Sequence, residues 1–213
     1  MRIISPSLLS ADFTNIHDEI KILENMNVNR IHLDVMDGNF VETITFGPMI
    51  IKAIRNITKM HLETHLMIKN PYKSVMQYIE AGSDTLILHI EAMHNPIKAL
   101  ELIRNNNVKA GIAINPNTNE ECLIPFLNYI DYILIMSVTP GKGGQNFIQS
   151  TIHKMKNIVN FCKNKSITIG VDGGVNLNTI SKVYDTGIDI SIVGSALFNS
   201  NNIHAKYKEL LNV

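Results

Sequence analysis

The sequence predicts an α/β protein that folds as one (β/α)8 barrel, and two observations carry this prediction. Short β-rich segments alternate with amphipathic segments along the whole chain, which indicates crossover connections and a parallel sheet. Eight such units occur in 213 residues, which matches the number of units and the approximate length of a (β/α)8 barrel. A doubly wound sheet would show the same alternation, but no G-x-G-x-x-G segment follows the first strand.

The eight predicted strands are short and rich in isoleucine, leucine and valine. They comprise residues 3–7, 30–34, 61–67, 85–89, 109–114, 132–136, 167–172 and 190–194. Helical periodicity predicts helices near residues 15–26, 49–57, 72–81, 97–106, 120–126, 148–162, 178–186 and 204–211.

Proline and glycine agree with these boundaries. Pro48, Pro71 and Pro96 stand at helix starts, and Gly82 and Gly187 stand at helix ends. Since no linker rich in Pro, Gly or Ser divides the chain, we predict a single domain over residues 1–213.

Composition argues against several classes of protein. The 19 basic and 19 acidic residues cancel, so neither nucleic-acid binding nor membrane-surface binding is expected. No apolar run reaches the roughly 18 residues that span a bilayer. The first residues, MRIISPSLLSADF, lack the apolar region and cleavage site of an export signal, so a cytoplasmic location is expected. Cys122 and Cys162 fit no metal or redox spacing and are expected to be free, buried thiols.

Four side chains at predicted strand ends form a candidate metal site. In a barrel the active residues lie at the carboxyl ends of the strands, and this rim includes His32, Asp34, His65 and Asp172. Buried charges need a partner or a metal, and two histidines with two aspartates suit one divalent ion such as zinc, iron, manganese or cobalt. A single histidine at this rim is more often a hydrogen-bonded core residue than a ligand, but the four residues together, on three strand ends, favour a metal. We keep the interpretation as a core residue for His89, at the end of the fourth strand.

Three methionines, Met36, Met67 and Met136, lie at or just beyond the same rim. Methionine commonly fills irregular gaps in a core. The same side chains would also form an apolar wall that excludes water from the reacting centre. The sequence leaves both interpretations open.

Glycine-rich loops follow the last three predicted strands: TPGKGGQ (139–145), VDGGV (171–175) and VGSALF (193–198). Glycine allows backbone N–H groups to approach an anion closely and to adopt positive φ. Ordinary turns also use glycine, but three neighbouring loops on one rim favour a phosphate site. The predicted substrate is therefore a small phosphate ester.

The two aspartates suggest a reaction. Asp34 and Asp172 belong to strands 2 and 7, so they approach a substrate from opposite sides. One would take a proton from carbon while the other delivers a proton to the opposite face. A metal would polarise the adjacent carbonyl and hold the enediolate oxygens. The chemistry predicted is inversion at a carbon next to a ketone.

At this point the chain resembles the ribulose-phosphate 3-epimerase family over its full length. The matching segments are SPSLLSADF (5–13), HLDVMDGNFV (32–41), TFGP (45–48), HLM (65–67), PGKGGQNF (140–147), VDGGVN (171–176) and GSALF (194–198). The resemblance implies a (β/α)8 enzyme of the pentose phosphate pathway that uses one divalent metal. Such an enzyme interconverts D-ribulose 5-phosphate and D-xylulose 5-phosphate by proton transfer at C3, and it forms homo-oligomers.

The resemblance also implies roles for individual residues. The metal ligands of the family match His32, Asp34, His65 and Asp172 of this sequence. Its two proton-transfer bases match Asp34 and Asp172. Ser7 and His65 match substrate contacts, and the three methionines match the wall over the reacting carbons. The loops that bind the substrate and its phosphate match Gly141, Gly143, Gly144, Gly173, Gly174, Gly194 and Ser195.

The loop over the substrate departs from the family pattern. Lys142 stands where the family commonly has phenylalanine. Thr139, before Pro140, stands where the family more often has asparagine, glutamate or histidine. Lys142 either strengthens phosphate binding and changes sugar preference, or simply faces solvent. This leaves the related D-allulose-6-phosphate 3-epimerases as an alternative.

The sequence argues against two further classes of barrel protein. Related barrel decarboxylases carry an Asp-x-Lys-x-x-Asp motif, which is absent here. A non-catalytic barrel that binds a phosphosugar would be favoured by loss of a ligand, yet all four are present.

Overall fold

The computed structural model describes residues 2–213, and its centre is a sheet of eight parallel strands. The strands are β1 (Ile3–Pro6), β2 (Arg30–Met36), β3 (His61–Met67), β4 (Thr85–His89), β5 (Lys109–Ile114), β6 (Tyr132–Met136), β7 (Thr168–Asp172) and β8 (Ile190–Val193). From β2 to β8 each strand pairs with the next one in sequence, and β8 pairs with β1. An isolated bridge joins β1 and β2. The predicted (β/α)8 barrel is confirmed.

Helices surround the sheet. They are α1 (Ile16–Asn25), α2 (Pro48–Ile57), α3 (Val75–Ala81), α4 (Pro96–Asn105), α5 (Thr151–Cys162), α6 (Ile180–Tyr184), α7 (Ser195–Phe198) and α8 (Ile203–Leu211). Pro48 and Pro96 occupy the first helical position, where the missing N–H costs nothing. Pro71 begins a short 3-10 turn before α3.

Two local differences from the sequence prediction have simple causes. Residues Glu120–Phe126 form a 3-10 helix rather than an α-helix, and Pro125 lies inside it. Because proline has no N–H and its ring clashes with the preceding turn, an α-helix is disfavoured there. The other difference is α7, a short helix that follows β8 within a segment predicted as a loop.

Alternation along the strands divides the core into two layers. Side chains such as Leu33, Leu62 and Ile112 point outward, are fully buried and pack between the sheet and the helices. The inward layer is mainly apolar on β5, β6 and β8, where Leu134 and Ile192 lie. It is polar on β1–β3, and His89 of β4 and Asp172 of β7 extend this polar side, where the site is built.

The barrel closes at a single point between its first two strands. A parallel bridge joins Ser7 to His32, just beyond the end of β1. Two predicted site residues therefore form the closing seam. Among residues 2–213, no helix combines the length and hydropathy needed to cross a bilayer.

Gly170 gives a test of packing inside the barrel. A Cβ at this position would overlap the Tyr132 hydroxyl and lie 2.9 Å from Tyr132 Cζ. We expect Gly170→Ala to lower the free energy of unfolding by about 1–3 kcal/mol through overpacking, measured by urea denaturation. Tyr132→Phe is the matched control, because the buried hydroxyl has no hydrogen-bond partner. The double variant should recover part of the loss, and equal losses in single and double variants would contradict this account.

Candidate active site

His32, Asp34, His65 and Asp172 converge at one end of the barrel. One ligand atom from each residue lies within 4.8 Å of the corresponding atoms of the other three. They come from β2, β3 and β7, whose carboxyl ends meet at this rim. His32 and His65 are fully buried, and the Asp172 side chain is 16% exposed. The predicted group is therefore assembled as one cluster.

Asp34 lies at the centre of the cluster. Its Oδ1 is 3.1 Å from His65 Nδ1 and 3.3 Å from His32 Nε2. Its Oδ2 accepts a hydrogen bond of 2.6 Å from Ser7 Oγ. On the other side of the cluster, Asp172 Oδ2 lies 3.8 Å from His65 Nδ1.

The His32 ring shows that this group fits a metal ion. Both ring nitrogens are buried without a hydrogen-bond partner, and the contact with Asp34 is close but not oriented as a hydrogen bond. An unpaired buried polar atom costs about 1–3 kcal/mol. A divalent cation among the four residues would satisfy the imidazole and balance the two carboxylates. The nitrogen and oxygen donors suit first-row divalent ions.

The surroundings of Asp34 and Asp172 shift the pKa values of the two carboxylates in opposite directions. Burial and the nearby Asp34 charge raise the pKa of Asp172 to about 7. Burial also opposes ionisation of Asp34, but His32 and His65 outweigh it and hold the pKa of Asp34 well below its ordinary value. Without a metal and below about pH 7, Asp34 is therefore the ionised member of the pair and Asp172 the member that holds a proton.

A cavity of about 400 Å³ opens above the cluster. Its lining includes Ser7, Asp34 and Asp172, and the loops that follow β6, β7 and β8. Of the predicted substrate residues, the structure brings together Ser7, Met36, Met67, Met136, Gly141, Gly143, Gly144, Gly173, Gly174, Gly194 and Ser195. His32 and His65 lie behind this lining.

The positions of the three methionines are compatible with both interpretations of the sequence. Each is at most 3% exposed, and each lines the cavity. They are core residues whose remaining surface faces the space above the two carboxylates.

Backbone geometry explains why the loops require glycine. Gly174 has φ +64, and a Cβ there would lie 2.5 Å from the Phe147 backbone nitrogen. Gly144 also has positive φ, +71. In the same loop, Gln145 Nε2 donates to the carbonyls of Thr139 and Lys142 at 2.7 and 2.8 Å. Lys142 is exposed and lies on the cavity lining, which is compatible with either of its predicted roles.

Sequence reasoning missed a buried carboxylate beneath the cluster. Glu63 accepts hydrogen bonds from Ser5 Oγ and Arg30 Nη1, each of 2.6 Å. Its Oε2 also lies 3.7 Å from His32 Nδ1. The signal was present, because Glu63 stands two residues before His65 on the same face of an apolar strand.

His89 is fully buried and hydrogen-bonded, as predicted, and lies outside the metal-ligand group. Cys122 and Cys162 are both free, the former half-buried and the latter buried. Ser10, Asn146 and Asn176 also line the cavity and were not predicted, because polar loop residues carry no distinguishing pattern.

Known proteins of one family are similar to this chain over most of its length. The model of the Ribulose-phosphate 3 epimerase family matches residues 3–198. The ribulose-phosphate 3-epimerase of Bacillus subtilis is 39% identical over 202 residues, which cover 93% of each chain. That of Chlamydia muridarum is 41% identical over 98% of this chain and 93% of its own. The chloroplastic Arabidopsis thaliana enzyme is 38% identical over 94% of this chain and 73% of its own.

Similar solved structures show the barrel fold. A mutant tryptophan synthase α-subunit from Pyrococcus furiosus superposes with a TM-score of 0.74 at 16% identity, covering 99% of this chain and 97% of its own. A 3-hexulose-6-phosphate synthase superposes with a TM-score of 0.64 at 13% identity, covering 98% and 97%. At these identities the likeness concerns the fold alone.

The raised pKa of Asp172 predicts a pH-dependent stability of metal-free protein. Its value rises from 3.8 to about 7 in the folded state. Protonated Asp172 therefore contributes stability below about pH 4, and this contribution is lost as the pH rises through about 7. Asp172→Asn cannot ionise, so its free energy of unfolding relative to wild type should increase over this range.

The measurement is urea denaturation with chelator present at about pH 4.5, 6 and 7.5. We expect the difference between the two proteins to grow by at least about 1 kcal/mol, since one pKa unit corresponds to about 1.4 kcal/mol. A difference that stays constant with pH would show that Asp172 ionises normally in the folded chain.

Proposed function

This chain is an enzyme of the ribulose-phosphate 3-epimerase family, and we propose that it interconverts D-ribulose 5-phosphate and D-xylulose 5-phosphate by proton transfer between C3 and two carboxylates, Asp34 and Asp172. The epimerase activity belongs to the pentose phosphate pathway. Inversion at carbon requires one group on each face of the substrate, and these two side chains reach the floor of one cavity from β2 and β7.

The observation that carries this proposal is the placement of Asp34 and Asp172 in the lining of one cavity, at the ends of two different strands. The opposite directions of their pKa shifts in the metal-free protein are compatible with it. Two carboxylates with separated proton affinities form an acid–base pair. Asp34, which accepts the hydrogen bond from Ser7 Oγ, takes the proton from C3 in one direction. Asp172 delivers a proton to the other face, and the roles exchange in the reverse direction.

The same cluster supports the metal dependence of the family. His32, Asp34, His65 and Asp172 would hold one divalent ion, and zinc, iron, manganese and cobalt all suit this donor set. A bound cation supplies Lewis-acid polarisation of the ketone next to C3 and offsets the charge that develops on its oxygen.

The rest of the cavity suits a small phosphorylated ketose. The glycine loops after β6, β7 and β8 present backbone that can approach a phosphate closely. Met36, Met67 and Met136 cover the space near the carboxylates with apolar surface and exclude water. Assembly into homo-oligomers, a cytoplasmic location and a single domain over residues 1–213 stay predictions.

Solvent exchange at C3 tests the reaction and the substrate. Metal-replete protein in D2O should incorporate deuterium at C3 of D-ribulose 5-phosphate while D-xylulose 5-phosphate appears, followed by proton NMR. D-allulose 6-phosphate is the matched competitor, and we expect it to react more slowly. Faster reaction of the six-carbon sugar would assign the enzyme to the hexulose phosphate. No exchange with either sugar would contradict the proposal.

Asp172→Asn tests the division of labour between the carboxylates. The variant should fold and lose at least about 10³-fold in epimerisation, because one face of C3 loses its proton-transfer group. Asp34 should still exchange the C3 proton of one epimer with solvent, and that of the other epimer should stay unexchanged. Metal content is measured alongside, with the exposed Asp185→Asn as control. Retained epimerisation would exclude the two-carboxylate mechanism.

A further inference from the structure

The second ring nitrogen of His65 faces away from the cluster and begins a buried chain of polar contacts. His65 Nε2 lies 2.9 Å from His89 Nε2. His89 is fully buried, and its Nδ1 lies 3.1 Å from Glu91 Oε2. Asp34, His65, His89 and Glu91 thus form one line of hydrogen-bonded groups from the cluster towards the end of β4.

The contacts of Glu91 keep its carboxylate ionised, so it can only accept hydrogen bonds in this line of groups. Its Oε1 accepts hydrogen bonds from the Asn115 backbone N–H at 2.8 Å and from Thr118 Oγ1 at 2.6 Å. Although burial opposes ionisation, the hydrogen bonds from His89, Thr118 and Asn115 lower the pKa of Glu91 to about 2. The carboxylate is therefore ionised, and Oε2 is left for His89.

The loop that holds Glu91 is itself anchored. Lys154 Nζ, on α5, donates to the carbonyls of Asn115, Pro116 and Thr118 at 2.8, 2.6 and 2.6 Å. Glu91, the last group of the hydrogen-bonded line, is therefore fixed to both β5 and α5.

The number of available protons shows that this line of hydrogen-bonded groups suits a bound cation. The three contacts Asp34–His65, His65–His89 and His89–Glu91 each need one proton, and both terminal carboxylates only accept. Two neutral imidazoles supply two protons for three contacts. If a cation replaces the proton between His65 Nδ1 and Asp34, two protons suffice. His65 Nε2–H then donates to His89, and His89 Nδ1–H donates to Glu91.

We propose that His89 and Glu91 are positioning residues that fix the tautomer of His65, so that its Nδ1 lone pair faces Asp34 and Asp172. Glu91 determines which nitrogen of His89 carries the proton, and His89 determines the same for His65. Groups behind a ligating histidine commonly act in this way. The inference rests on the proposed function in one respect, which is that His65 is a metal ligand.

Glu91→Gln should reverse the direction of hydrogen-bond donation along the whole line from Glu91 to His65. Because the Asn115 N–H can only donate, the glutamine carbonyl stays there and the amide –NH₂ faces His89. His89 then accepts at Nδ1 and donates from Nε2 to His65. The proton of His65 is displaced to Nδ1, where a metal would bind. We expect zinc affinity to fall by about 10–100-fold, the usual effect of losing such a partner.

The test uses zinc as a diamagnetic probe of the full chain. Zinc affinity is measured by competition with a chelator, and the histidine tautomers by long-range ¹H–¹⁵N NMR of the zinc-loaded protein. In wild type, His65 should carry its proton on Nε2 and His89 on Nδ1. An Nε2–H tautomer of His89 in the zinc-loaded wild type would overturn the proposal without any variant.

Two further variants distinguish the effect of reversed hydrogen-bond donation from the effects of losing the side chain or its charge. Glu91→Ala presents no donor to His89 and should lose less zinc affinity than Glu91→Gln; an equal or larger loss would overturn the proposal. Glu120→Gln removes a charge from the same neighbourhood, where its carboxylate accepts from Asn157 Nδ2, and should leave zinc affinity unchanged. A comparable loss in Glu120→Gln would assign the effect to charge alone and contradict the tautomer account.

The two proposals fail in different ways. Wild-type protein that binds no zinc would refute the metal site itself. Wild-type protein that binds zinc as tightly as Glu91→Gln, with unchanged tautomers, would refute the positioning role alone.

Discussion

The structure depends on placing a carboxylate, Asp34, inside a barrel whose interior is otherwise closed to water. A buried charge is tolerated only with partners that compensate it. Here Ser7 donates a hydrogen bond to Asp34, and His65 Nδ1 and His32 Nε2 lie 3.1 and 3.3 Å from its Oδ1. This need explains why the inward layer is polar on β1–β3 and mainly apolar on β5, β6 and β8. It also explains why β3 and β4 carry His65 and His89 where an ordinary barrel would carry aliphatic side chains.

The compensation is incomplete among the described residues, and that incompleteness is the basis of function. His32 lacks hydrogen bonds at both ring nitrogens, and Asp172 is left with a raised pKa of about 7. A fully satisfied network would hold the fold but would have no affinity for a cation and no proton to transfer. The unsatisfied groups lie where β2, β3 and β7 end, and the cavity opens directly above them.

Much of this was predictable from the sequence, because it follows from periodicity and from polar residues in apolar strands. All eight strands, the four clustered side chains and the glycine loops were found that way. The 3-10 helix at Glu120–Phe126 was not, because the apolar periodicity of so short a segment indicates a helix without fixing its type, and the effect of Pro125 inside the segment was overlooked. The contact between His65 and His89 was not predicted either. It depends on which nitrogen of each ring faces which neighbour, and that is set by packing across two strands.

The seam of the barrel adds a constraint that the loops do not share. β1 and β2 are joined by the Ser7–His32 bridge, and the Ser7 side chain also donates to Asp34. Residues that close the fold are therefore the same residues that shape the cluster, so changes there affect stability and chemistry together. The glycine loops contact the substrate space without closing the sheet, and Lys142 lies exposed among them. Substrate preference can therefore change in this loop while the reacting groups stay fixed by the barrel.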